Sequence, residues 1–196
     1  MTQRSIETPW GQSQHHSDYA VGIVFHSTAS HGGFQLSQER QTELHEIEAF
    51  RAFGPGWLEE DCDAALVALR WPGFATDEAI AGAILTARQV ASWDHSAEKW
   101  KPVVEWLETT SLQERADRHH EAVKSLWERG SMSTTGKGGC TVSFRRGDER
   151  RTVTMAYPEK RYYSDAELEA YDRNNPCQDD SMNTFPVGGN GGLLQQ

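Results

Sequence analysis

The hydrophobic period of this chain switches twice, and that double switch constrains its fold more than any other feature. Near the amino end, residues 19–27 read YAVGIVFHS, a β-branched and aromatic run suited to a pleated strand, and 34–36 read as a second, shorter one. Between them lies Thr28-Ala29-Ser30-His31-Gly32-Gly33. The two glycines predict a tight hairpin turn, because glycine reaches positive φ without steric cost.

From residue 37 the apolar spacing becomes helical. Ser37 is placed to cap a helix carrying Leu44, Ile47 and Phe50, stopped by Gly54-Pro55-Gly56. A second, over 59–71, puts Cys62, Ala65, Leu66 and Leu69 on the face begun by Leu58, with Pro72-Gly73 as its stop. Ile80, Ala83, Ile84, Ala87 and Val90 mark a third, with Asp77 and Glu78 favourable at its N-terminal end. Trp100, Val103, Val104 and Leu107 mark a fourth, where Pro102 shifts the start or kinks the helix. Leu112, Ala116, His119, Val123 and Leu126 mark a fifth.

Beyond a Ser/Thr/Gly-rich connector at 130–139 the period returns to two. Cys140-Val142-Phe144 and Val153-Met155-Tyr157 alternate with polar residues around Arg146-Gly147-Asp148-Glu149, the pattern of a β-hairpin. Ser164 and Glu167 then stand in capping-box spacing, with Tyr163 and Leu168 placed to staple a last short helix. After Asn175 the composition collapses into Asn, Gly, Asp and Gln, so 175–196 is expected to be a disordered tail. The expected fold is α+β: one antiparallel sheet built from an N-terminal and a C-terminal hairpin, packed with about five helices in a single domain over 1–174. A separate C-terminal module joined through 130–139 is the alternative.

Charge narrows the partners. The net charge of −10 repels nucleic acid and anionic membrane and favours a basic partner. It is unevenly spread: 39–63 carries −6, 164–180 carries −5, and the hairpin region 145–161 carries +3. Glu43, Glu46, Glu59, Glu60, Asp61 and Asp63 are the candidate protein-binding acids, against the plainer reading of a solvated helix face. No signal-peptide core and no membrane-length apolar run stands in the sequence. Cys62, Cys140 and Cys177, without a CxxC pair, suit a reducing compartment, so a cytoplasmic location is expected.

Catalytic signatures are incomplete. Ser133–Gly139 resembles a phosphate loop but has the wrong spacing and precedes a strand where a helix is needed. Cys62 lies among carboxylates that raise a thiol pKa and falls on an apolar face, so a buried, inert cysteine is expected. His31 is the best catalytic candidate, able to form a general acid/base pair with Asp61 or Glu60 if the first hairpin packs against the 59–71 segment. Its plainer role is to orient the turn through a backbone hydrogen bond. The histidines at 15, 16, 26, 31, 119 and 120 form no HExxH or Cys/His cluster, so neither a metal site nor a cofactor is expected.

Three stretches carry a family resemblance: Thr8-Pro9-Trp10-Gly11; Gly22-Ile23 with Ser27-Thr28-Ala29-Ser30-His31-Gly32-Gly33-Phe34 and Leu36-Ser37; and Trp57-Leu58-Glu59-Glu60-Asp61-Cys62-Asp63. Together they resemble an uncharacterised bacterial family associated with plasmids, integrative elements and phages, over roughly the first 75 residues. The resemblance implies a mobile-element setting and no activity. By that association the expectation is a non-enzymatic acidic protein that docks on a host protein or nucleoprotein complex with a basic surface, a counter-defence inhibitor of CRISPR or restriction systems. The alternative is a small enzyme, of hydrolase type, using His31 with Asp61 or Glu60.

Overall fold

The computed structural model describes residues 6–134, 139–158 and 160–173. Met1–Ala122 make one compact unit and Val123–Gln196 a second. The α+β class forms as the periodicity predicts, with six α-helices and antiparallel sheets among the described residues. The hairpins of the two ends, expected to share one sheet, lie in two separate four-stranded sheets. Each finds its further strands close by in sequence, which costs less loop-closure entropy than pairing across the helical middle.

The first unit opens with a two-stranded ribbon, β1 (Glu7–Thr8) and β2 (Gly11–Gln12). Thr8 Oγ1 donates to the Gly11 carbonyl at 2.8 Å, and Gly11 adopts φ +113°, which favours glycine. Strands β3 (His15–Ala20), β4 (Ile23–Ser27), β5 (Gly32–Leu36) and β6 (Trp57–Glu59) follow in sheet order, all antiparallel. The tight turn sits at Val21-Gly22, one connection before the predicted Gly32-Gly33. Those two glycines lie buried inside β5 and answer to space rather than to φ. A Cβ on Gly33 would run into the Trp10 ring and the Leu58 carbonyl, and one on Gly32 into the Glu60 carboxylate.

Helix α1 (Gln38–His45) starts as predicted, with Ser37 Oγ accepting from the Arg40 amide at 3.3 Å. The helix expected over 59–71 is shorter. Trp57–Glu59 is taken by β5 as a paired strand, 60–64 form a turn, and only α2 (Ala65–Arg70) is helical. Helix α3 (Asp77–Ala91) is capped by Thr76, α4 (Ala97–Leu107) runs through Pro102, and α5 (Leu112–Val123) ends just before the second unit's first strand. The core of this unit packs Ile23, Leu36 and Leu58 of the sheet against Leu44, Leu66, Leu69, Ile80, Ile84 and Val103 of the helices. Phe53 meets Trp100 edge-on at 5.0 Å and Phe50 meets Trp106 at 4.7 Å. Burying each such aromatic contributes about 1.5–3 kcal/mol, and the edge-on pairs add to that.

The second unit holds β7 (Trp127–Thr134), β8 (Cys140–Arg146), β9 (Glu149–Met155) and β10 (Tyr162–Tyr163) in the order β10-β7-β8-β9, with α6 (Asp165–Arg173) packed beside β9. Residues 130–134, expected to be connector, belong to β7. Gly130 marks a register shift between Arg129 and Met132, where Ser143 Oγ fills the space a Cβ would need. The predicted hairpin is β8–β9, turning at Gly147 with φ +57°. The capping box is present: Ser164 Oγ accepts from the Glu167 amide at 3.3 Å while Glu167 Oε2 accepts from the Ser164 amide at 2.8 Å. Positions 135–138 of the phosphate-loop-like stretch, Cys177 and the expected tail at 175–196 lie outside the described residues. None of the described helices is long and apolar enough to cross a membrane.

Candidate functional site: an acidic edge and cleft beside His31

The three motif stretches meet in one place on the first unit. The Thr8–Gly11 turn lays Trp10 over Gly33, and Trp10 stands edge-on to Trp57 at 5.8 Å. Register does the rest: Gly33 pairs with Glu59, and the Glu60 amide donates to the Gly32 carbonyl at 3.1 Å. The turn that follows β6 therefore starts opposite the residue after His31.

Thr28, not the His31 ring, organises the His31 loop. Its amide and its Oγ1 both donate to the His31 carbonyl, at 2.7 and 2.8 Å, and its Oγ1 accepts from the His31 amide at 3.1 Å. The backbone of His31 is thereby held while its side chain stays exposed, with no hydrogen bond among the described residues. One ring nitrogen of His31 and one carboxylate oxygen from each of Glu59 and Asp61 lie within 4.8 Å of one another. The predicted approach of His31 to Asp61 is thus made. These three are the described side chains placed to share a cation. Glu60 is not part of this group; its carboxylate lies against Gly32 and, with Asp61, lines the neighbouring cleft.

The six candidate binding acids divide sharply by what they touch. Glu43 accepts from the Trp71 indole at 2.8 Å and from Arg40 at 2.7 Å; the indole first and then the guanidinium hold its carboxyl below the usual range. Glu46 pairs with Arg70 at 2.9 Å, and Asp63 with Lys99 at 2.8 Å. Glu59 Oε2 accepts from the Asp61 and Cys62 amides at 3.0 and 3.3 Å and so ties the turn; burial nevertheless pushes its pKa up. Glu60 and Asp61 are exposed and make no side-chain hydrogen bond or ion pair with the described residues. Four of the six acids are thus occupied in holding the fold, which sequence spacing does not reveal.

Beside Glu60 and Asp61 opens a cleft of about 290 Å³. Tyr19 and Phe34 form aromatic walls, packed edge-on at 5.4 Å, while Ala64, Ala68, Ala79 and Ala83 supply a floor of small side chains between α2 and α3. No run in the sequence announces this cleft; the only signal is the alanine at successive turns of two neighbouring helices. Cys62 also lines it, half-buried, and burial first, then Glu59, raise its thiol pKa, which leaves little thiolate for attack. His26 is a satisfied core histidine. It is 1% exposed, its Nδ1 lies 3.1 Å from Ser13 Oγ and its Nε2 3.2 Å from Gln35 Oε1, and burial lowers its pKa.

A family model described as a domain of unknown function matches residues 3–132. The chain belongs to this family, DUF7007. The DUF7007 match takes in all three motif stretches and continues through α3, α4 and α5 into β7, well beyond the 75 residues of the sequence resemblance. It therefore holds the whole acidic edge and cleft. No curated protein and no solved structure matches the chain.

Proposed function

We propose that this DUF7007 protein is a non-enzymatic binding protein that docks on the basic surface of a host protein through the acidic edge of its first unit. One observation carries the reading: Glu60 and Asp61, side by side and exposed, are the two of six clustered acids not engaged within the fold. The surrounding field has the same sign, since residues 1–122 hold nine Lys and Arg against nineteen Asp and Glu. Such a field speeds encounter with a basic partner and weakens as salt screens it. The free Cys62 and Cys140 suit action in the cytoplasm. The motif resemblance suggests the setting, a mobile element disarming a CRISPR or restriction complex. The test is affinity capture from host lysate with the wild type and with Glu60→Lys/Asp61→Lys. The reading expects a specific partner lost in the variant and on raising salt; a partner kept under both conditions overturns it.

The proximity of His31 to Asp61 favours a second reading, a small hydrolase with His31 as general base. It expects His31→Ala to abolish an activity while leaving capture intact.

A further inference from the structure

The cleft beside Glu60 and Asp61 gives the docking surface a preference that acidity alone lacks. We infer that it is an arginine pocket: an arginine side chain of the partner lies on the alanine floor, its guanidinium against Tyr19 and Phe34 and its charge met by Glu60 and Asp61. This rests on the docking reading and names the partner chemistry of the same site.

Size is the first argument. At about 290 Å³ the cleft falls at the lower limit of sites that enclose a small molecule, so it suits one long side chain better than a cofactor. Charge complementarity is the second. The two unengaged carboxylates stand at the cleft, whereas Asp63 next in the chain already has Lys99. The walls decide between the two basic side chains. A guanidinium is planar, weakly hydrated and able to stack on aromatic faces while its fork of N–H groups reaches carboxylates; an ammonium is a compact, strongly hydrated point charge. The same unit already uses that chemistry on itself. Arg40 lies over the rings of Trp71 and Phe74, 5.5 Å from each centroid, while its NH1 donates to Glu43 at 2.7 Å. Tyr19 links the two places, because its hydroxyl donates to the Phe74 carbonyl at 3.3 Å.

The probe is a capped hexapeptide with a single arginine, compared with matched lysine and citrulline peptides, titrated into the isotope-labelled full chain with a chelator present and followed by amide chemical shifts. The expected result is saturable shifts at Glu60, Asp61, Ala64 and Ala68, with arginine bound about two- to fivefold tighter than lysine, the scale of an exposed cation–π contact. Citrulline should bind weakest. Ala79→Leu, an exposed position on the cleft lining, should block the arginine peptide without removing any charge. Equal binding of arginine and lysine, with loss in Glu60→Gln/Asp61→Asn, sinks the arginine pocket and leaves the acidic docking surface standing. Absence of shifts at these residues with all three peptides, or unaltered binding in Ala79→Leu, also overturns it, while the capture experiment judges the docking reading separately.

Discussion

The two units of this chain strike different balances between apolar burial and charged contacts. The first closes over an apolar core in which large aromatics pair edge-on and the buried polar groups His26 and Gln41 both have partners. The second has a smaller core, built from Trp127, Cys140, Val142, Phe144, Val153, Met155, Tyr163 and Leu168. Charged contacts surround it. Arg146 bridges Glu149 and Asp165 at 2.8 Å each and lies over the Trp127 ring at 4.4 Å. Glu128 takes both Arg145 and Arg161 at 2.7 Å, and Lys160 meets Glu167 at 2.5 Å. A small sheet with one helix cannot bury much apolar surface, so its side chains add hydrogen-bonded charge at the rim. The first unit should therefore be sensitive to changes of volume and the second to changes of charge.

The largest effect should come from a cavity in the first core. Trp100 is 1% exposed, and Trp100→Ala should cost about 3–5 kcal/mol, read by urea unfolding and by hydrogen exchange resolved along the chain. Protection should fall across α1–α5 and stay in β8 and β9; an equal fall in both units breaks the comparison. Overpacking should come next. Gly33→Ala places a Cβ against Trp10 and the Leu58 carbonyl, a strain of about 1–3 kcal/mol that should also release the Trp10–Trp57 contact, visible in tryptophan fluorescence.

Acid should separate the units without mutation. His26 has a lowered folded pKa, so its share of stability is complete above the ordinary histidine value of 6.5 and is lost as pH falls below it. Glu167 is lowered from 4.5 to about 2, first by Lys160 and then by Ser164. Its share is complete above pH 4.5 and is lost as pH falls toward about 2. Exchange measured from pH 7 downward should show the first unit loosening before the second. Glu167→Gln keeps an amide for the capping geometry but removes the charge. It should cost the second unit about 0.5–1 kcal/mol, a figure already reduced for solvent screening, and flatten its loss below pH 4.5. The smallest effect is reserved for the proposed surface: Glu60→Gln/Asp61→Asn should change stability by less than about 0.5 kcal/mol. A larger loss would mean these acids serve the fold after all.

Legibility follows the same division between local and distant contacts. The Ser164–Glu167 capping box with Tyr163 and Leu168, the Ser37 cap and the β8–β9 alternation were readable because every partner lies within a few residues or repeats with a fixed period. The glycine pair at 32–33 was misread because glycine serves two purposes. It can supply positive φ or the absence of a Cβ, and only Trp10, more than twenty residues away, shows which applies. The sequence places the start of a helix at Glu59 and a connector at 130–134 because the strand partners of these segments, β5 and β8, are invisible to a local window. At the site, the sequence named His31, Glu60 and Asp61 and suspected their meeting, but gave the six acids equal weight.

What the sequence by itself determined is the class of the fold, the position of most helices, the C-terminal hairpin and the acidity of the surface. These depend on periodicity, capping and composition, which are local or additive. Only the tertiary structure decided that the two hairpins lie in separate sheets, that Thr28 rather than the imidazole holds the His31 loop, that four of the six acids are engaged, and that alanines on α2 and α3 leave a cleft beside the remaining two. Each of these depends on groups far apart in the chain arriving within hydrogen-bond or van der Waals reach, and no property of a residue's near neighbours encodes that arrival.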